Sequence, residues 1–125
     1  AYRAAKVNAS VVPFIDDMAK QYAWCDLMLC RSGAITVAEL AAAGVASMLV
    51  PLPYFVAEEQ DANARFLADA GAGLLVKQLE TTPQSLAAQI KSLTRERLLA
   101  MATVARSLGK PEATAACAAV CESLA

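Results

Sequence analysis

The chain has 125 residues and a mass of 13.1 kDa, the size of one domain, which makes two independent cores improbable. Hydrophobic residues make up 58% of it and alanine is the commonest of them, a composition typical of a helix-rich globular domain and not of a disordered chain. The 11 basic and 12 acidic residues give a net charge of −1. Because no basic stripe appears, we expect no nucleic-acid partner.

Histidine is absent, which excludes a histidine general base, a Ser-His-Asp triad and a histidine metal ligand in this chain. We assign it no catalytic residue, no metal and no cofactor. The four cysteines show no C-x-x-C spacing, so we predict buried, reduced thiols of a cytosolic protein rather than a disulfide pair. The four cysteines are Cys25, Cys30, Cys117 and Cys121.

One apolar segment must be tested as a membrane span. Residues 40–57 carry no charge, and their number is near the lower limit for crossing a bilayer. Gly44, Pro51 and Pro53 interrupt them, so we predict a helix end, a turn and a strand, and no transmembrane segment. No signal-peptide pattern opens the chain. It begins at Ala1 without methionine, and we expect a fragment or a processed product.

Short strands and helices alternate along the chain. Apolar runs between turn residues predict strands at residues 8–15, 26–30, 45–52 and 73–77. Helical spacing of apolar residues, with cap residues before it, predicts helices at residues 18–24, 34–43, 58–70, 82–93, 95–108 and 111–125. In the helix at 58–70, Phe66 and Leu67 are expected to face inward.

This alternation predicts an α/β fold, a Rossmann-like layered domain with a mostly parallel sheet, formed by residues 1–125 as a single domain. Ligands of such folds bind beyond the carboxyl ends of the strands. The functional site is therefore expected at residues 15–16, 30–33 and 51–53.

Residues 31–36, Arg-Ser-Gly-Ala-Ile-Thr, lie between a buried strand and a helix start. Gly33 lets a ligand approach the backbone, and the free N–H groups of Ala34, Ile35 and Thr36 would face an anion such as a diphosphate. The alternative is an ordinary turn with a helix cap.

Three polar residues further along have two interpretations each. Thr36-x-x-Glu39 fits a capping box, but the Glu39 carboxylate could instead accept both hydroxyls of a ribose. Gln60 and Asn63 lie one turn apart, where they either clasp a polyhydroxylated ligand or form a solvated helix face.

Several stretches together resemble one family. They are residues 14–18, 22–24, 30–39, 41–44 and 60–64. In this order they resemble MurG, the family of bacterial undecaprenyl-diphospho-muramoylpentapeptide N-acetylglucosaminyltransferases of peptidoglycan synthesis. The match is unbroken from about Val11 to Gly71, and from Leu74 onward it rests on pattern and helix order. The chain looks like most of the family's C-terminal, donor-binding domain, truncated at its N-terminal side.

The resemblance implies a two-domain GT-B-type enzyme that transfers N-acetylglucosamine from UDP-N-acetylglucosamine to lipid I, giving lipid II with inversion. The family's N-terminal domain would bind lipid I and supply the base, and a Gly-rich loop would precede Ala1. The whole enzyme would lie on the cytoplasmic side of the bacterial inner membrane as a peripheral protein. This chain alone is expected to bind the donor weakly and not to turn over.

The resemblance also implies a role for individual residues. The Ile15 backbone would bind the uracil, and Glu39 would bind the ribose hydroxyls. Gln60 would contact the sugar hydroxyls, with Asn63 beside it. Ala34, Ile35 and Thr36 would hold the diphosphate region. Val37 and Ala38, which follow them, would also be substrate-binding residues. Many relatives have histidine directly before the glutamine, whereas this chain has Glu59, which makes the sugar contacts less secure than the nucleotide site.

Two other functions remain open at this point. The chain could be the complete donor subunit of a split glycosyltransferase, recruited by a membrane partner. It could also be a non-enzymatic, flavodoxin-like nucleotide-binding module.

Overall fold

The computed structural model of the chain describes residue 2, residues 4–54 and residues 57–124. In this part of the chain the strands are β1 (Met28–Cys30), β2 (Ser47–Leu49) and β3 (Gly73–Leu75). The helices are α1 (Met18–Trp24), α2 (Ala34–Ala43), α3 (Ala57–Ala68), α4 (Pro83–Ser92), α5 (Arg95–Leu108) and α6 (Ala113–Ser123). A 3₁₀ turn, Gln78–Glu80, follows β3.

The described strands form one parallel sheet in the order β1-β2-β3. Helix α2 connects β1 to β2, and α3 connects β2 to β3. Connections between parallel strands are almost always right-handed, and two of them in the same direction place both helices on one face of the sheet. The prediction of an α/β fold with a parallel sheet is confirmed.

The core lies between this sheet face and helices α2 and α3. Leu40, Leu49 and Leu67 are fully buried there, and Ala105 of α5 joins the same cluster. The prediction that Phe66 also faces inward is wrong, since its side chain is 51% exposed. Leu67 takes the inward position on α3, and residues one apart in a helix point about 100° apart.

The predicted strand at residues 8–15 is also wrong. These residues form no regular structure, and the side chains of Val11 and Phe14 are 73% and 75% exposed. No strand among the described residues pairs with them. Apolar, β-branched residues favour a strand only when a neighbouring strand accepts their backbone hydrogen bonds, and Pro13 has no N–H to offer.

Helix termini follow the local sequence signals closely. The Asp17 carboxylate accepts a hydrogen bond from the Lys20 N–H at 2.9 Å, which starts α1. Thr82 forms a capping box with Ser85 at the start of α4. Gly44 ends α2 at φ +71, and a Cβ at this position would lie 3.0 Å from the Cβ of Arg106. Only glycine meets both demands at that position.

Two predictions about exposure have mixed outcomes. Cys25 and Cys30 are half-buried free thiols, but Cys117 and Cys121 are exposed, because α6 lies on the surface of the described structure.

Residues 40–54 form the end of α2, strand β2 and the loop after it, as predicted, while residues 55 and 56 lie outside the described residues. Among the described helices, none combines the length and the apolar character that crossing a membrane requires.

Candidate functional site

The start of helix α2 is the centre of the predicted site. Strand β1 ends at Cys30, three residues follow, and Gly33 is the N-cap of α2. The first helical bond runs from the Val37 N–H to the Gly33 carbonyl at 3.0 Å. The N–H groups of Ala34, Ile35 and Thr36 precede it and have no helical acceptor. The first turn carries no acidic residue, so the positive end of the helix dipole is not neutralised locally.

The space beside Gly33, the N-cap of α2, is open. The Gly33 backbone is extended, with φ −62 and ψ 147, and a Cβ placed on it would meet only the Thr36 Oγ1 atom within 4 Å, at 3.9 Å. Ala34 is exposed and the Ile35 side chain is 76% exposed. The structure leaves room for a ligand beside Gly33, and the binding of an anion there stays a prediction.

Glu39 has a role that the sequence interpretation missed. The buried Tyr22 hydroxyl of α1 donates a hydrogen bond to Glu39 Oε2 at 2.8 Å. The capping-box interpretation is wrong, because the N-cap is Gly33 and Thr36 is the third residue of the helix. Glu39 itself is exposed, so its carboxylate can accept further hydrogen bonds. Burial, and then the hydrogen bond and charge of Glu39, raise the pKa of Tyr22 well above its usual range.

Gln60 and Asn63 hold together the loops that follow the strands. Ser32 is fully buried, and its hydroxyl donates to the Gln60 carbonyl oxygen at 2.8 Å. Asn63 Nδ2 donates to the Ser32 carbonyl at 3.2 Å, and Gln60 Oε1 accepts from the Leu52 N–H at 3.0 Å. The interpretation as a solvated helix face is wrong, since both side chains are half-buried and hydrogen-bonded to backbone.

Arg31 is a second residue whose role was missed. Its Nη1 donates to the carbonyls of Val50 and Pro51, both at 3.2 Å, and its Nη2 donates to Gln78 Oε1 at 2.7 Å. Arg31 thus links the segments that follow β1, β2 and β3. The available signal was a charged residue directly after an apolar run, at the sheet edge where ligands bind. The run was expected to be buried, but β1 is the outer strand of the described sheet and its Leu29 side chain is 45% exposed.

The remaining predicted residues are less closely connected to this arrangement. Val37 is buried in the core and its N–H is bonded to Gly33, whereas Ala38 is exposed. Ile15 is 39% exposed and lies two residues before the Asp17 cap. No hydrogen bond between described residues joins Ile15 to α2.

Comparison with known proteins extends this picture. The sequence profile of the glycosyltransferase family 28 C-terminal domain matches residues 2–117. The chain is 55% identical over 124 residues to the UDP-N-acetylglucosamine--N-acetylmuramyl-(pentapeptide) pyrophosphoryl-undecaprenol N-acetylglucosamine transferase of Cupriavidus necator, covering 99% of this chain and 35% of that protein. The protein of the same name from Aromatoleum aromaticum is 55% identical over 125 residues, covering 100% of this chain and 35% of that protein.

The crystal structure of Acinetobacter baumannii MurG gives a similar result. It superposes with a TM-score of 0.87 at 45% sequence identity, covering 93% of this chain and 34% of that one. The chain thus spans about a third of the length of these relatives. The resemblance to MurG seen in the sequence is confirmed, and the chain belongs to the family of the glycosyltransferase family 28 C-terminal domain.

Proposed function

We propose that residues 1–125 form one donor-binding domain of an inverting glycosyltransferase. The complete enzyme would transfer N-acetylglucosamine from UDP-N-acetylglucosamine to lipid I and so form lipid II. The observation that carries this proposal is the open start of α2, where three N–H groups without helical acceptors lie in the turn before Glu39. The names of the relatives supply the substrates.

In this proposal the diphosphate binds the N–H groups of Ala34, Ile35 and Thr36. As the bond between the sugar and the phosphate breaks, negative charge grows on the diphosphate, and fixed N–H donors and the helix dipole stabilise that charge. The region needs no lysine or arginine for this, because the donors belong to the backbone. Val37 supports it by packing in the core, and the exposed Ala38 lies beside it.

The other contacts follow the same edge of the sheet. The Glu39 carboxylate accepts the ribose hydroxyls, and the backbone of Ile15 binds the uracil. Gln60 Oε1 is engaged by the Leu52 N–H, which leaves the amide NH₂ group to donate to the sugar hydroxyls. Asn63 fixes the loop beside it through the Ser32 carbonyl.

The acceptor and the base belong to another part of the enzyme in this proposal. Inverting transfer requires a base near the attacking hydroxyl, and this chain has no histidine. The chain spans 35% of the length of its relatives, so a second domain of such an enzyme would bind lipid I and contact the cytoplasmic membrane surface. The enzyme would be peripheral, on the cytoplasmic side of the bacterial inner membrane.

Nucleotide titration tests the donor site directly. The 125-residue chain is titrated with UDP, uridine, ADP and flavin mononucleotide, and binding is followed by NMR. We expect UDP to bind more tightly than uridine and ADP, because both the diphosphate and the uracil are recognised. Equal affinity for UDP and uridine would contradict the diphosphate site, and a preference for the flavin would support a flavodoxin-like module instead.

A transfer assay tests the division of roles. A radiolabelled donor and a lipid I analogue are supplied to the chain alone and to a full-length enzyme that carries this segment as its donor-binding domain. We expect turnover only by the full-length enzyme, because the chain alone cannot hold donor and acceptor at reacting distance. Turnover by the purified chain would show that the base and the acceptor site lie within it.

A further inference from the structure

Helix α1 supplies a buried hydroxyl to the carboxylate on α2. The Tyr22 side chain is 8% exposed and belongs to the core cluster with Val37 and Leu40. Its hydroxyl donates to Glu39 Oε2 at 2.8 Å, although the two residues are 17 positions apart in sequence. The tyrosine is fixed by packing, whereas the glutamate lies at the surface. A tyrosine fixed by packing therefore holds the carboxylate of an exposed glutamate.

This contact orders a side chain that would otherwise sample many conformations. A glutamate has three side-chain torsions, and a ligand that binds it must first restrict them at a cost in free energy. A carboxylate offers about four acceptor positions on its two oxygens, and Tyr22 uses one of them. The positions that remain suffice for two neighbouring hydroxyls, such as those of a ribose.

The donor character of the tyrosine is also secure. Burial and the neighbouring Glu39 raise the pKa of Tyr22 above its usual range, so the phenol keeps its proton at physiological pH. A protonated phenol next to an ionised carboxylate gives a charge-assisted hydrogen bond, which is stronger than one between neutral groups. Asp17 caps the start of α1, and Tyr22 packs this helix against residues of α2 in the core cluster.

We propose that Tyr22 is a positioning residue that preorganises the Glu39 carboxylate for the ribose hydroxyls of the donor nucleotide. This inference rests on the proposed function, since it requires that Glu39 binds a ribose. Tyr22 does not touch the ligand and takes no part in the chemical step. Its effect reaches the donor only through Glu39.

The test is Tyr22→Phe, which removes the hydroxyl and keeps the ring. Affinities for UDP and for 2′-deoxy-UDP are measured for both proteins. The wild-type protein should prefer UDP, and Tyr22→Phe should weaken UDP binding about fivefold to tenfold, because the ligand must then order the Glu39 side chain itself. Binding of 2′-deoxy-UDP should weaken less, so the preference for the ribose hydroxyl shrinks. A purely structural tyrosine would weaken both ligands equally.

Two controls isolate the effect. Tyr2→Phe makes the same chemical change at an exposed tyrosine and should alter neither affinity. In a Glu39→Gln background the further change Tyr22→Phe should cost less UDP affinity than it does alone, because the two residues act as one unit. The melting temperature of each variant shows that it is folded. In the full-length enzyme, Tyr22→Phe should raise the donor KM more than it lowers kcat.

The outcomes separate the inference from the proposed function. If the wild-type protein binds UDP and 2′-deoxy-UDP equally, Glu39 does not bind the 2′-hydroxyl and the role of Tyr22 is wrong, while the diphosphate site stands. If it binds UDP no more tightly than uridine, the proposed function is wrong. If the wild-type protein prefers UDP and Tyr22→Phe keeps the same preference, the proposed function stands and the role of Tyr22 is wrong. Additive effects of Tyr22→Phe and Glu39→Gln would also contradict that role.

Discussion

Gly33→Ala tests whether the start of α2 holds a diphosphate. The chain itself has room for the added methyl group, since its nearest neighbour would be the Thr36 Oγ1 atom at 3.9 Å and φ is −62. Alanine is a poorer N-cap than glycine by up to about 1 kcal/mol. It also restricts the unfolded chain, which stabilises the folded state by ~0.4–1 kcal/mol. We therefore expect a net change in unfolding free energy of less than about 1 kcal/mol.

The effect on UDP should be much larger. Because the side chain of an N-cap residue lies beside the N–H groups of the first turn, the methyl group should crowd the place where the diphosphate is proposed to bind. Each hydrogen bond to a charged oxygen is worth ~1.5–3 kcal/mol, so losing one should weaken UDP binding roughly 10- to 100-fold. Uridine lacks the diphosphate and should bind Gly33→Ala as it binds the wild-type protein. The ratio of the two affinities, measured by NMR titration, is the readout.

Gly109→Ala is the matched control. A Cβ at Gly109 would lie 2.8 Å from the Ala41 carbonyl oxygen and 3.0 Å from the Ala42 Cα, so α5 must move away from α2. Overpacking of this kind costs ~1–3 kcal/mol, which urea unfolding would detect, while the UDP-to-uridine ratio of the folded protein should stay the same. If Gly33→Ala also destabilises the protein and leaves that ratio unchanged, residues 31–36 are only a structural turn.

Two further predictions concern Glu39 and the thiols. Glu39→Gln should weaken UDP binding about tenfold or more, as measured by calorimetry. The melting temperature should change little, because Glu39 is exposed and does not cap α2. Lower stability with unchanged UDP affinity would contradict this prediction. Alkylation at pH 8, followed by peptide mass spectrometry, should modify Cys117 and Cys121 quickly and Cys25 and Cys30 slowly. Burial raises the pKa of Cys30 to about 11 and that of Cys25 in the same direction, so these thiols keep their protons at pH 8, and equal rates would contradict the half-buried positions.

The sequence predicted the helix termini well because the signals that set them are local. A cap residue accepts a hydrogen bond from an N–H group two or three positions later in the chain. Asp17 and Thr82 can therefore be recognised as caps from a few neighbouring residues. The strand at residues 8–15 was predicted wrongly for the opposite reason. A strand depends on a partner that lies elsewhere in the chain, and no local pattern shows whether that partner exists.

The difference between local signals and distant partners also decides which features of the site could be predicted. An apolar run followed by a glycine and a helix is a local pattern, and it located the start of α2 correctly. The partners of the polar residues are distant: Tyr22 is 17 positions from Glu39, and Ser32 is 31 positions from Asn63. The Thr36-x-x-Glu39 spacing fits a capping box, but it lies three residues too late, because the helix begins after Gly33.

The start of α2 also differs from the starts of α1, α4 and α5 in a way that can be tested. Side chains of Asp17, Thr82 and Thr94 cap α1, α4 and α5, whereas Gly33 offers α2 no side-chain acceptor. Gly33→Asp would supply one, since ψ 147 suits an N-cap. The cap and its charge at the helix N-terminus should stabilise the protein by ~0.5–1 kcal/mol.

The same carboxylate would occupy the place of the diphosphate and repel it. We therefore expect Gly33→Asp to raise the urea midpoint and to abolish detectable UDP binding, while uridine still binds. Higher stability with retained UDP affinity would show that the diphosphate binds elsewhere. The opposite signs of the two effects follow from one cause: the N–H groups that a cap would satisfy are the groups that the ligand needs. A helix start that binds an anion through these N–H groups cannot also bond them to a capping side chain. Without a bound ligand, such a helix start is less stable than a capped one.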